Sequence, residues 1–327
     1  MLRAAIAHKQ FQLGLRAFAP GAEAYLSSFL AGLPSGMTIA ETPATSWRLT
    51  LVTAESLPVS AFPGVTPVSE RWVWARLHQA WMGLASTWQA RSLWALGAGA
   101  SDQSQDFILL IQPGLRSAAV SARIEWCLLD LKRRWLAQTQ GVLVHASAVV
   151  WRGQGFLFLG ASDAGKTTVA RLSQGLAEAI LDDEIVLIRP GSAGYSLAAG
   201  TAGWADPVRR QYPGDDEVDP AVSLRIAGDR FADLDYDCDR KAPLRAIFIL
   251  KQDQENYLRP LSSLVVAQAL AQGFLEGTRR LSLSAQDTRR AVSELSNLAR
   301  QMPGYELHFR RDPSFWKVID ERFFGQG

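Results

Sequence analysis

Phe156-Leu157-Phe158-Leu159 runs straight into Gly160-Ala161-Ser162-Asp163-Ala164-Gly165-Lys166-Thr167-Thr168, and the reading of this stretch decides the fold. Four apolar residues predict a buried strand. The loop matches G-x-x-x-x-G-K-[ST] without a mismatch, and a helix-compatible segment follows to about Gly175. Gly160 and Gly165 permit backbone angles that a side chain resists. Consecutive N–H groups can then turn inward and form a concave anion site, and the following helix adds the positive end of its dipole. In such a loop Lys166 reaches the β- and γ-phosphates and the Thr167 hydroxyl can ligate Mg²⁺. The candidate nucleotide contacts are Gly160, Ala161, Ser162, Asp163, Ala164, Gly165, Lys166, Thr167 and Thr168.

Working outward, Val142 to Val150 reads as one strand with His145 at its middle, and Arg152-Gly153-Gln154-Gly155 as a turn. The loop-feeding strand is then expected antiparallel to it. On the other side, Asp182 and Asp183 stand 16 and 17 residues after Lys166, just before the apolar run Glu184 to Ile188. One helix fits in that gap and leads back toward the loop. A phosphate-bound Mg²⁺ takes a carboxylate or carboxylate-held water into its shell, and an acceptor hydroxyl needs a base within hydrogen-bond reach. Two adjacent aspartates can divide these tasks. Away from a phosphate loop both would read as turn residues, and His145 alone would read as a core histidine.

His145 in a strand, the loop 160–167 and Asp182-Asp183 occur in one order, which resembles the HPr serine kinase/phosphorylase family and its relatives. That family shares a nucleotide fold with phosphoenolpyruvate carboxykinase. Ser162 matches the family Ser, Asp163 stands where the family has Gly, and Thr168 replaces an acidic residue of true HPr kinases. The likeness is firm over about 140–190 and looser over 195–310. There Gly200-Thr201-Ala202-Gly203-Trp204, Ala242 to Leu250 and the C-terminal helices look like shorter HPr-kinase-like proteins. Some of those phosphorylate precursor peptides, such as lasso peptides. The resemblance implies Asp182 as general base, Asp183 and Thr167 as Mg²⁺ ligands, Lys166 on the β/γ-phosphates and His145 orienting the base, with the two aspartates exchangeable. Arg240, Lys241 or Arg245 would neutralise charge in transfer. No equivalent of the C-terminal phosphorolysis motif is visible, which argues against the reverse reaction and against HPr as substrate.

The rest of the chain bounds this reading. Its 327 residues suggest about two domains, and 48% apolar with 20% charged residues is a globular composition. A net charge of +2 gives no reason to expect nucleic acid. Cys127 and Cys238 are too few for a disulfide framework, and no apolar run approaches a membrane span. Met1 to Phe18 has no signal-peptide pattern, so a cytoplasmic, membrane-free location is expected.

Trp47 to Thr53 and Asp106 to Gln112 read as strands. Ser69 and Glu70 are expected to open a helix whose apolar face is Trp74, Leu77, Trp81, Leu84 and Trp88. A second helix spans about 121–138, with Ile124, Cys127, Leu128, Leu131 and Trp135 inward and Lys132, Arg133 and Arg134 as a solvated face. A strand at 246–250, helices at 262–276 and 285–301, a strand at 305–310 and a helix at 313–324 close the chain. Asp235, Asp237 and Asp239 mimic an EF-hand start. Arg240 stands where that loop needs Gly and Ala246 where it needs Glu. With Asp215, Asp216, Glu217 and Asp219 they read as an exposed acidic loop.

The expected fold is α/β, with a C-terminal P-loop domain of the HPr kinase/phosphoenolpyruvate carboxykinase type at 140–327 behind a mixed α+β domain at 1–139. The latter would position substrate or mediate self-association into a homo-oligomer. The expected reaction is ATP- and Mg²⁺-dependent transfer of the γ-phosphate to a Ser or Thr hydroxyl of a peptide or small protein. A small-metabolite kinase and a nucleotide-binding scaffold without transfer are the alternatives.

Overall fold

The computed structural model describes residues 3–8, 11–18, 20–32, 38–40, 48–53, 66–67, 72–77, 80–86, 92–96, 106–111, 117–139, 141–192, 194–200, 234–237, 239–278, 283 and 285–325. They fall into two compact units that divide between residues 132 and 133. Both units mix helices and strands.

The first unit is built on a nine-stranded sheet. Its elements are β1 (Arg3–His8), β2 (Phe11–Phe18), α1 (Pro20–Ala31), β3 (Thr38–Ala40), β4 (Arg48–Thr53), β5 (Thr66–Pro67), β6 (Trp72–Leu77), β7 (Ala80–Ser86), β8 (Ser92–Leu96) and β9 (Asp106–Ile111). The sheet order is β3-β1-β2-β4-β9-β8-β7-β6-β5. The expected tryptophan helix is instead the hairpin β6–β7, with Trp74 opposite Gly83 and Arg76 opposite Trp81. Spacings of three and four also occur when two short strands meet at a tight turn. The aromatic and β-branched content of Trp72 to Leu77 favours the pleated form. Trp88 lies outside the described residues.

Helix α2 (Ser117–Thr139) spans the division between the units, longer than its apolar stripe predicted. Its cationic face is a second correction. Lys132 and Arg134 are buried, Arg133 is half-buried, and none of the three lacks a partner. Long side chains can bury their stems while the charged head finds a polar group.

The second unit holds β10 (Val142–His145), β11 (Ser147–Trp151), β12 (Gln154–Leu159), α3 (Lys166–Ser173), β13 (Ala179–Asp182), β14 (Ile185–Gly191), β15 (Gly194–Ala199), β16 (Lys241–Gln252), β17 (Tyr257–Pro260), α4 (Ser263–Thr278), α5 (Ala285–Gln301), β18 (Gly304–Phe309) and α6 (Phe315–Phe323). Its curled mixed sheet runs β10-β14-β15-β16-β12-β11-β13, and β18 adds to β16 and pairs with β17. Strands β12, β16 and β18 are parallel. Strand β11 is antiparallel to both β12 and β13, so β13 points the same way as β12. The carboxyl ends of β12, β13, β16 and β18 therefore share one edge, which is where open α/β sheets place ligands.

Helices cover both faces. Val266, Leu270 and Phe274 of α4 and Leu295 and Leu298 of α5 pack on one. Val169 of α3 and Phe315, Trp316 and Ile319 of α6 pack on the other, around Phe156, Phe158 and Phe248. Phe158 and Phe248 stack at 5.3 Å between centroids, which holds β12 and β16 in register under the loop. Among the described residues no helix is long and apolar enough to cross a membrane.

The apolar run 142–150 is two strands, not one. At Ala146 the chain leaves β14 and joins β12 and β13. The N–H of Ala146 donates to the carbonyl of Glu184 at 3.2 Å. His145 is thus the last residue of β10, and the strand beside β12 is β11. Strands β13, β15 and β17 were not legible as strands, being short and flanked by charged or turn-forming residues.

Candidate functional site

The loop 160–165 joins the end of β12 to the start of α3. Gly165 is the N-cap of α3 with φ +108°, and a Cβ there would stand 2.6 Å from Cζ of Phe309. At Gly160 a Cβ would stand 2.6 Å from that of Ala164. Gly165→Ala is therefore expected to cost about 1–3 kcal/mol by forcing both backbone and neighbour, read as a lowered thermal midpoint. Asp163 adopts φ +64°, a conformation that Asp tolerates better than most residues.

Ala161, Ser162 and Asp163 are exposed along the rim, while Lys166 is buried beneath them. Its ammonium donates to the carbonyls of Gly160 at 2.8 Å and Ala161 at 3.0 Å. Burial pulls its pKa down, and the charges of Glu276, Glu184, Asp163 and Asp183 act against that. Neutral carbonyls compensate a buried cation only in part, so the cradle has a standing preference for an anion.

The two aspartates, adjacent in sequence, have different surroundings. Asp182 Oδ1 accepts the N–H groups of Glu184 (2.9 Å) and Ile185 (3.1 Å), and its Oδ2 accepts that of Gly200 (3.2 Å). It pins the turn between β13 and β14 and ties it to the end of β15. Asp183 points the other way. Its Oδ1 accepts a hydrogen bond from the Tyr236 hydroxyl, while its Oδ2 is buried and without a hydrogen-bond partner among the described residues. Burial pushes its pKa up to about 6, with the charges of Asp182 and Glu184 adding to the rise. The Tyr236 and Thr167 hydroxyls favour the ionised form.

His145 Nδ1 lies 2.7 Å from the carbonyl of Glu184. A carbonyl only accepts, so this nitrogen carries the proton and Nε2 keeps a lone pair when the ring is neutral. Helix α4 lies close against β10 here, since a Cβ on Gly277 would stand 3.0 Å from the backbone nitrogen of His145. The same approach brings Glu276 into the field of Lys166.

The expected charge-neutralising residues are elsewhere. Gly155 pairs with Leu244 and Leu159 with Ile249. Arg240, Lys241 and Arg245 therefore lie where β12 begins, roughly 10 Å or more along the strand from the loop. Arg240 pairs with Glu178, and the Arg245 guanidinium sits 5.6 Å from the Phe323 ring centroid. At the loop edge stand Gln252 and Arg311 instead. Gln252 donates to the Asp163 carbonyl at 3.0 Å, and Arg311 donates to Gln252 Oε1 from Nε and Nη2 at 3.2 and 2.9 Å. Nothing in the local sequence of Gln252, Arg311, Glu276 or Tyr236 singled them out. Each reaches the site through strand pairing or helix packing.

Asp235, Asp237 and Asp239 are exposed, as expected. Asp237 accepts from the Arg240 N–H at 3.2 Å. Residues 201–204 and 215–219 and Cys238 lie outside the described residues. Among the described residues no group of three or more His, Cys, Asp or Glu side chains could hold a metal.

Fold and site together define a mixed α/β protein whose glycine loop opens a helix at the carboxyl edge of a curled sheet, over a buried carboxylate. The family described as SynChlorMet cassette protein ScmC matches residues 116–227, a span that takes in α2, the loop and the aspartate pair. No curated protein matches the chain.

Proposed function

We propose that the chain is an ATP- and Mg²⁺-dependent phosphotransferase of the HPr-kinase-like kind, which phosphorylates a Ser or Thr hydroxyl of a peptide or small protein. The observation that carries the proposal is the meeting of the cradle around Lys166 with Asp183, a buried carboxylate that keeps one oxygen unpartnered beside Thr167. The likeness to HPr serine kinases rests on His145, the loop and the aspartate pair. The word cassette in the matching family's name is in keeping with a chain that works beside a partner such as a precursor peptide.

An unpartnered carboxylate oxygen next to a threonine hydroxyl fits a hard cation. Thr167 would hold Mg²⁺ directly and Asp183 would hold it through a water of its shell, and the ion's place in this chemistry is to neutralise charge on the transferring phosphoryl group. One protein carboxylate is enough, because Mg²⁺ commonly takes its other ligands from water and phosphate. The loop N–H groups and Lys166 bind the phosphates, and α3 adds its dipole. Asp182 acts as a brace rather than a base, since its oxygens already accept three N–H bonds. In a loose transition state the acceptor's proton leaves late, so holding the hydroxyl in line matters more than a strong base. Gln252, which donates to the Asp163 carbonyl, and Arg311, which donates to Gln252, would offer polar groups to the nucleotide at the rim of the loop.

Transfer of labelled γ-phosphate from ATP with Mg²⁺ to a peptide panel and a metabolite panel tests the proposal. Label on a peptide Ser or Thr is expected, lost in Lys166→Ala and Asp183→Asn. Nucleotide binding with no transfer to any acceptor would overturn it in favour of a nucleotide-binding scaffold.

A further inference from the structure

Ser147 opens β11 fully buried, and its hydroxyl has no hydrogen-bond partner among the described residues. Asp183 Oδ2 shares that condition. The pleat places the two groups together. Val149, two residues on from Ser147, packs in one cluster with Val169 of α3, so Ser147 faces α3 as well. Ala148 pairs with Asp182 across β11 and β13, and His145 with Ile185 across β10 and β14, so the same register carried between them sets Ser147 across from Asp183. Asp183 in turn lies against Thr167, the second residue of α3. A hydroxyl and a carboxylate oxygen thus sit buried on one face, under the first turn of the loop's helix, without bonding each other. Buried polar groups are as a rule partnered, and one bridging group can serve both.

We infer that Ser147 is a positioning residue that, with Asp183, holds one water of the magnesium shell beside Thr167. A water bound to Mg²⁺ has spent its lone pair on the ion and offers two hydrogens. Asp183 Oδ2 accepts one and Ser147 Oγ the other. The ion commonly keeps several of its waters, and partners of this outer kind orient the ligands of a site. The inference rests on the phosphotransferase reading.

Calorimetric titration of Mg²⁺ into the full chain with a non-hydrolysable ATP analogue separates the two. In the unaltered protein the analogue is expected to bind more tightly with Mg²⁺. In Ser147→Ala the Mg²⁺ affinity is expected to fall about tenfold, with Mg²⁺-free nucleotide affinity unchanged and the apo melting temperature equal or higher. Ser147→Thr keeps the hydroxyl and is expected to recover the affinity. Unaltered Mg²⁺ affinity in Ser147→Ala, with Mg²⁺-dependent binding intact in the parent, would overturn the inference alone and leave a structural water as the bridge. Absence of Mg²⁺-dependent binding in the parent would overturn the inference together with the reading on which it rests.

Discussion

Asp183→Asn is expected to melt higher than the parent protein at pH 7.5 while transferring phosphate about 10²–10³-fold more slowly, the loss typical of removing a group that stabilises transition-state charge. The reason for the stability gain is the buried carboxylate. Its pKa rises from 3.8 to about 6 on folding, burial being the largest cause. The folded state therefore binds this proton more tightly than the unfolded state, and ionisation costs stability. The cost is absent below about pH 4, grows as pH rises toward 6, and is complete above it. At about 1.4 kcal/mol per pKa unit it amounts to about 3 kcal/mol. An asparagine keeps an oxygen for the Tyr236 hydroxyl and carries no charge at any pH. The gain should thus be seen at pH 7.5 and vanish near pH 4 in thermal melts. Adding Mg²⁺ to the analogue-bound protein should raise the melting temperature further in the parent and much less in the variant. An unchanged melting temperature at pH 7.5 would remove the argument that this carboxylate is held ready at a cost to the apo fold.

The neighbouring substitution should act in the opposite sense. Asp182→Ala is expected to lower stability by about 2–4 kcal/mol, because it leaves the N–H groups of Glu184 and Ile185 without this acceptor, while the Gly200 N–H keeps the carbonyl of Ile185 at 2.9 Å. For a unit of this size that is roughly a 10 °C drop in midpoint. Asp182→Asn should fall between, since the amide retains one acceptor oxygen. Any loss of activity in these variants should track the loss of fold and shrink on cooling. If Asp182→Ala folds and melts like the parent but transfers no phosphate, Asp182 is the base that the motif suggested, and the brace assignment fails.

The histidine and the strand breaks show why some of this was out of reach of local patterns. Residues 142–150 carry one continuous apolar pattern, which periodicity reads as one strand. The break at Ala146 comes from a carbonyl 38 residues onward, on Glu184. The tryptophan stripe at 74–84 satisfied the helical period, and cross-strand pairing in the first unit overrode it. The cationic run at 132–134 was legible as charge, but its burial depends on what covers α2.

By itself the sequence determined the strand, loop and helix around Gly160 to Ser173 and the nearness of an aspartate pair to that loop. These follow from backbone freedom at glycine, from apolar runs and from chain length, all of which act within a few tens of residues. Only the tertiary structure decided which aspartate is the brace and which the free carboxylate. It also decided that Tyr236 bonds the latter, and that Gln252 and Arg311, rather than Arg240, Lys241 and Arg245, border the loop. Those outcomes depend on strand order, register and a bulge, which are set by packing between segments far apart in the chain and leave no local mark.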